Sequence, residues 1–140
     1  MHKVEYYIKP IIRKTKKGEH IDTDLKFIDK KTNEEIGYIF FGDKSNVKDN
    51  GAFIKSVSLD EKYRGTGLFN KMFEDAIKYM KCNNYETVYL YAIDEIANKV
   101  WKPLGFKTYD SSISMNEKIH DMKFSLSKIK PKCNSIEQSR

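Results

Sequence analysis

The sequence predicts an α+β domain, a mixed sheet of about seven strands with two principal helices. Three observations lead there. Short runs of β-formers, several of alternating polarity, recur along the chain. From Leu68, apolar residues fall at 68, 69, 72, 73, 76, 77 and 80, a wide stripe on one face of a helix. A shorter amphipathic run follows Asp94, and strand-like segments flank both helical stretches.

In chain order, Val4 to Ile12 forms a first strand around Val4, Tyr6 and Ile8, which Pro10 is expected to end because it cannot donate to a ladder. The basic stretch RKTKKGEH, with Gly18, makes a solvated turn. Asp24 to Asp29 alternates Leu25 and Phe27 with Lys26, KKTNEE turns the chain, and Ile36 to Phe41 returns as the other arm of a hairpin. GDKSNVKDNG is a loop, and Ala52 to Leu59 is the fourth strand. The long helix gains an i,i+4 pair from Glu74 and Lys78, a basic Lys81 at its negative end, and a left-handed cap from Asn83 or Asn84. Thr87 to Ala92 is the fifth strand. Asp94 is the expected N-cap of a second helix that buries Ile96, Ala97, Val100, Trp101 and Leu104 and stops at Gly105. Phe106 to Tyr109 is the sixth strand, and Met122, Phe124 and Leu126 alternate in a seventh. Residues 1–129 thus form one domain, and the polar residues 130–140 a disordered tail.

The totals agree. A chain of 140 residues suits one core, and 39% apolar with 13% aromatic residues can fill it, which excludes a disordered chain. Lys and Arg outnumber Asp and Glu by 26 to 20, a net charge of +6 that favours anionic partners without choosing among them. A nucleic-acid reading rests on that charge alone. No membrane span is expected, since the longest apolar run is Tyr38 to Phe41, and no apolar N-terminal stretch suggests secretion. Cys82 and Cys133 lack metal or redox spacing and read as free thiols of a cytoplasmic protein; the three dispersed histidines give no metal site.

Chemistry is expected at Lys62-Tyr63-Arg64-Gly65-Thr66-Gly67, between the fourth strand and the long helix. A helix start presents unpaired N–H groups and partial positive charge, and glycines let a phosphate approach the backbone. Lys62, Arg64 and Lys71 add full charges. By itself such a turn is more often only a turn.

The segment resembles motif A of the GCN5-related N-acetyltransferases, Gln/Arg-x-x-Gly-x-Gly/Ala at a strand-to-helix junction, with Lys62, Gly65 and Gly67 at the defining places. Downstream, Asp94, Ala97, Trp101, Gly105 and Phe106 fall at the spacing of the family's Asn-x-x-Ala-x-x-x-Tyr-x-x-x-Gly-Phe. The strand Glu35 to Ile39 and the closing strand Asp121 to Lys128 are also similar. The resemblance spans residues 20–128.

It implies a sheet whose fourth and fifth strands splay apart, with the pantetheine arm of acetyl-CoA along Val57, Ser58 and Leu59. The pyrophosphate would rest on N–H groups from Arg64, Gly65, Thr66, Gly67, Leu68 and Phe69, with Lys62 or Lys71 reaching the adenosine phosphate. An amine would attack the thioester directly, with an N–H near Val57 or Leu59 receiving the carbonyl oxygen. The family's acid is a Tyr where this chain has Trp101, whose indole can donate a hydrogen bond but is no practical acid; the resemblance places Trp101 among the cofactor-binding residues. Tyr89, Tyr91 and Tyr109 are the remaining candidates for catalysis. The family's fourth-strand Glu corresponds to Phe53. The implied function is acetyl transfer from acetyl-CoA to a primary amine. The alternative is a coenzyme A-binding module of little or no activity, acting as sensor or interaction subunit. The family's two helices between the first and second strands have no room between Ile12 and Asp22, so Tyr6, Ile8, Tyr38 and Phe40 are expected to lack cover, and a homodimer to supply it.

Overall fold

Alternating polarity sets the sheet. In β2 (Ile21–Asp29) every second side chain from Thr23 is buried, and Leu25 and Phe27 have no exposed surface. β2 pairs antiparallel with β1 (Tyr6–Lys14) and with β3 (Glu35–Lys44), which in turn pairs with β4 (Gly51–Leu59). A computed structural model describes residues 4–14, 20–44, 47–109, 119–131 and 133. The expected basic turn lies largely outside them.

After β4 come α1 (Leu68–Cys82) and β5 (Thr87–Ile93). The second helix, α2, runs through Asp94–Ile96, a π-turn at Ala97–Trp101, and Lys102–Leu104. In the π-turn the Lys102 N–H reaches back to the Ala97 carbonyl, one residue beyond the α-helical partner. β6 (Lys107–Thr108) and β7 (Ile119–Ser125) complete a seven-stranded sheet in the order β1-β2-β3-β4-β5-β7-β6. Among the described strands, only β4 and β5 pair in parallel.

The apolar stripe of α1 is its buried face: Met72, Ala76 and Met80 are fully covered and Phe73 nearly so. They pack on Leu25, Ile39, Ala52, Ile54, Val88, Leu90 and Met122 of the sheet. Each large side chain buried this way contributes about 1.5–3 kcal/mol. The helix ends as its sequence suggests, with Asn84 in the left-handed region at φ 72° and the Tyr85 N–H bonded to the Met80 carbonyl.

Several expectations are corrected. Pro10 does not end β1, which continues to Lys14; β1 is the sheet's edge, where a missing N–H can be tolerated. β3 runs on to Lys44, shortening the loop before β4, while β6 is only two residues long. Asp94 does not cap α2: it is the first helical residue, after Ile93, and makes no capping bond. Its carboxylate instead meets His120 Nε2 at 2.6 Å, tying α2 to β7. Ile96 is exposed rather than buried. Tyr6 and Ile8 do not lack cover, since both face the α1 side; the Tyr6 ring packs on Phe27 and its hydroxyl donates to Asp75 of α1. The opposite face, with Tyr38 and Phe40 half-buried, forms a groove of about 380 Å³ with Arg13, Asp24, Lys26 and Ser56. β1 and β2 pair as far as Lys14 and Ile21.

Cys82 and Cys133 are not free thiols: they form a disulfide that fastens the chain near its C-terminus to the end of α1. The cysteines therefore give no argument for a reducing compartment. Residues 132 and 134–140 of the expected tail lie outside the described residues. Because the bridge closes a separation of 51 residues, chain entropy gives it up to about 4 kcal/mol. Reduction should lower the urea midpoint accordingly. Two titratable thiols in protein purified without reductant would contradict the bridge. No helix among the described residues is long and apolar enough to cross a membrane.

Candidate active site

The turn between β4 and α1 is held from several sides. Asp60 accepts from the Lys62 N–H and the Tyr63 N–H bonds the Asp60 carbonyl, which winds Glu61–Tyr63 into a short 3-10 turn. The Tyr63 hydroxyl donates to Asp29 at 3.1 Å, anchoring the turn to the end of β2. The Lys31 N–H, with Tyr63, holds the Asp29 carboxyl below the usual carboxylate range. Thr66 Oγ1 donates to the Tyr63 carbonyl at 2.6 Å, and Arg64 Nε to the Leu59 carbonyl at 3.0 Å.

Gly65 and Gly67 have φ of 76° and 80°, and a Cβ added at either would meet no atom within 4 Å. The glycines are required by backbone conformation, and the space beside them is open to a ligand. Among the described residues, none accepts from the N–H groups of Gly65, Thr66 or Gly67. Gly67 precedes α1 without a side-chain cap, so the first turn lacks intrahelical acceptors except for Thr66 Oγ1, 3.3 Å from the Leu68 N–H. This is an anion cradle of backbone donors. The flanking lysines are engaged elsewhere: Lys62 bonds Glu34 at 3.0 Å, and Lys71 lies 3.8 Å from Asp75 and over the Tyr6 ring.

Above the cradle the sheet opens. The parallel β4–β5 ladder holds only Gly51 with Thr87, Ala52 with Val88 and Phe53 with Tyr89, then stops, although β4 continues to Leu59 and β5 to Ile93. Both walls of the gap stay braced, β4 by β3 as far as Leu59 and β5 by β7 as far as Ile93. Lys55 is an extra residue in the β3–β4 register, a bulge that turns Val57 and Leu59 toward the core side and leaves Ser58 opposite Tyr38. Val57, Ser58 and Leu59 therefore lie on the unpaired stretch of β4, which leads directly into the cradle.

The candidate catalytic tyrosines share the face opposite α1 but not one environment. Tyr89 is 7% exposed and donates to Asp49 at 3.0 Å; burial, then that carboxylate, push its hydroxyl up to about 12. The neutral form is thus favoured in the fold. This stabilisation is complete below the unfolded tyrosine value of about 10 and is lost as pH rises through about 12. An absorbance titration should show a phenol ionising near 12 that Tyr89→Phe removes; loss of the group near 10 instead would contradict the burial. Such a phenol is a poor base at neutral pH. Tyr91, just past the last β4–β5 pair, is 43% exposed and accepts from Lys44 Nζ at 3.2 Å. Its ring meets Phe53 edge-on at 4.9 Å. Tyr109 packs on Tyr89 at 5.9 Å, and burial, then Asp121, raise its hydroxyl above the usual value.

Trp101 is not beside these tyrosines. It is 5% exposed and packed edge-on with Phe69, Phe73 and Phe106, with centroids 5.4–6.0 Å apart. Sequence reasoning passed over the Asp94–His120 contact and the buried Asp121. Alternation in β7 would have placed Asp121 opposite Met122, but which face was covered depends on α1 and α2.

The family model described as "Acetyltransferase (GNAT) family" matches residues 3–106. No curated protein matches the chain. Among solved structures, a spermidine N-acetyltransferase SpeG chimera from Vibrio cholerae and hSSAT is 17% identical, with TM-score 0.57, over 76% of this chain and 68% of that one. The ribosomal-protein-S5-alanine acetyltransferase of Vibrio fischeri is 21% identical, TM-score 0.57, over 79% and 64%. A putative GNAT-family acetyltransferase from Desulfovibrio desulfuricans is 8% identical, TM-score 0.62, over 76% and 69%. At these identities the likenesses show the fold. Together with the family match over most of the sequence, they establish that this chain belongs to the GNAT family of acetyltransferases.

Proposed function

We propose that the protein transfers the acetyl group of acetyl-CoA to a primary amine. The observation that carries this reading is the ladder that ends at Phe53 and Tyr89 while both strands continue. A thin, amide-bearing chain can lie along the exposed edge of β4 at Val57, Ser58 and Leu59. A pyrophosphate at its end would then meet the N–H groups of Gly65, Thr66, Gly67, Leu68 and Phe69; that of Arg64 is bonded to the Glu61 carbonyl at 3.1 Å and would have to leave it. Open space at both glycines and unpaired N–H groups suit that anion. Lys62 and Lys71 would reach the adenosine phosphate only by giving up Glu34 and Asp75.

The chemistry asks little of side chains. A neutral amine attacks the thioester carbonyl, the C–N bond forms, the C–S bond breaks, and the amine's proton leaves to water or a nearby base. A thiol pKa of about 8.5 makes the thiolate a tolerable leaving group without an acid. With the Tyr89 hydroxyl donated to Asp49, Tyr91 and Tyr109 are the better-placed groups for hydrogen bonding to the reacting atoms.

The buried indole of Trp101, where many relatives have a tyrosine, favours a second reading, a coenzyme A-binding module without turnover. Incubation with acetyl-CoA and a panel of amines, following thiol release and the mass of the acceptor, separates the two. Amine-dependent thiol release is expected. Binding of acetyl-CoA with no release for any amine would leave the module, and no binding at all would remove both.

A further inference from the structure

A separate cavity lies at the end of α1 away from the glycine turn. It measures about 230 Å³ and is lined by Ile12, Ile21, Thr23, Tyr79 and Tyr85, with exposed Lys14 beside them. β1 and β2 form one wall and the last turn of α1 another, so neither the β4–β5 gap nor the cradle contributes a residue to it. A cavity of about 150 Å³ walled by aliphatic and aromatic groups takes up benzene, so this one has room for a single ring.

Thr23 distinguishes it from a packing gap. The residue is 4% exposed and lines the cavity. Among the described residues its hydroxyl has no hydrogen-bond partner, and Oγ1 is not sealed from solvent. A buried hydroxyl is normally bonded, so the partner of this one comes from what occupies the cavity.

Charge narrows the occupant further. Lys14 forms no ion pair among the described residues. The negative groups around Tyr85 and the end of α1 are already engaged. Asp43 accepts from the Ile21 N–H and the Tyr85 hydroxyl. The Tyr79 carbonyl accepts from the Asn83 side chain at 2.8 Å, and the Met80 carbonyl from the Tyr85 N–H at 3.1 Å. An uncommitted ammonium beside an aromatic-walled space matches an anion carried on a flat apolar body. Register sets the spacing, since Thr23 pairs with Ile12 and Lys14 with Ile21. With strands about 4.8 Å apart and a rise of about 3.4 Å per residue, the Cα atoms of Thr23 and Lys14 lie about 8 Å apart. One ring with a polar group at each end spans that interval.

We infer that this cavity binds a small aromatic carboxylate, with the carboxylate on Lys14, the ring among Ile12, Ile21, Tyr79 and Tyr85, and a ring hydroxyl on Thr23. The inference does not rest on the acetyl-transfer reading, because the site shares no residue with the gap or the cradle.

The test is an NMR titration of the full chain with 4-hydroxybenzoate, using 4-hydroxybenzyl alcohol as the uncharged probe and benzoate as the probe lacking the hydroxyl. 4-Hydroxybenzoate should shift the signals of Ile12, Ile21, Thr23 and Tyr85 at millimolar concentration, and the alcohol should bind at least tenfold more weakly. Lys14→Gln, an exposed change that leaves the fold intact, should abolish that preference. Thr23→Val should weaken 4-hydroxybenzoate at least fivefold and leave benzoate unchanged. Equal binding of the charged and uncharged probes to the native protein overturns the inference, as does a preference that survives Lys14→Gln. Shifts confined to Gly65–Phe69 overturn it too, since the carboxylate would then be bound at the cradle.

Discussion

Gly67→Glu is expected to lower the affinity for acetyl-CoA at least 100-fold, on the order of 3 kcal/mol. Two effects combine. At φ 80° any side chain strains the backbone by about 1–2 kcal/mol, and the added carboxylate lies where unpaired N–H groups await an anion. Gly67→Ala separates them. It carries the strain without the charge, so it should lower stability while costing no more than about tenfold in affinity. Nothing lies within 4 Å of a Cβ there, so the Cβ of neither variant meets a clash in the fold. Calorimetry on variants of native circular dichroism measures both. A folded Gly67→Glu protein with undiminished affinity would show that the phosphates bind elsewhere.

The second large effect concerns Trp101. Its ring sits among Phe69, Phe73 and Phe106, where α1, α2 and the start of β6 meet. Truncation to Ala should cost about 3–5 kcal/mol, enough to threaten the fold of a domain whose total stability is about 5–15 kcal/mol. Trp101→Phe keeps most of the packing and should cost far less, with acetyl-CoA affinity little changed. Urea unfolding of both variants decides. A Trp101→Ala protein with native stability but weakened cofactor binding would return Trp101 to the ligand surface.

The elements legible in sequence were those with a local cause. The α1 stripe needs only helical spacing, and the cradle only two glycines before it. The splay of β4 from β5 was legible through resemblance rather than through residues, since nothing in Ile54 to Leu59 announces a missing partner. Pro10 misled because its effect depends on whether its strand is an edge. Asp94 misled because a carboxylate before an amphipathic run caps a helix unless a better partner is near, and His120, 26 residues away, was that partner. The Cys82–Cys133 bridge likewise depends on where the chain returns after β7. Tyr89, Tyr91 and Tyr109 read alike in sequence, and only burial and the Asp49 contact distinguish Tyr89 from the other two.

A crystal structure of the protein with acetyl-CoA tests the central claim most directly. The pantetheine should lie between β4 and β5 beyond Phe53 and Tyr89, along Val57 to Leu59, with the pyrophosphate on the N–H groups from Gly65 to Phe69. A β4–β5 gap free of ligand, with the phosphates bound away from Gly65 and Gly67, would contradict it.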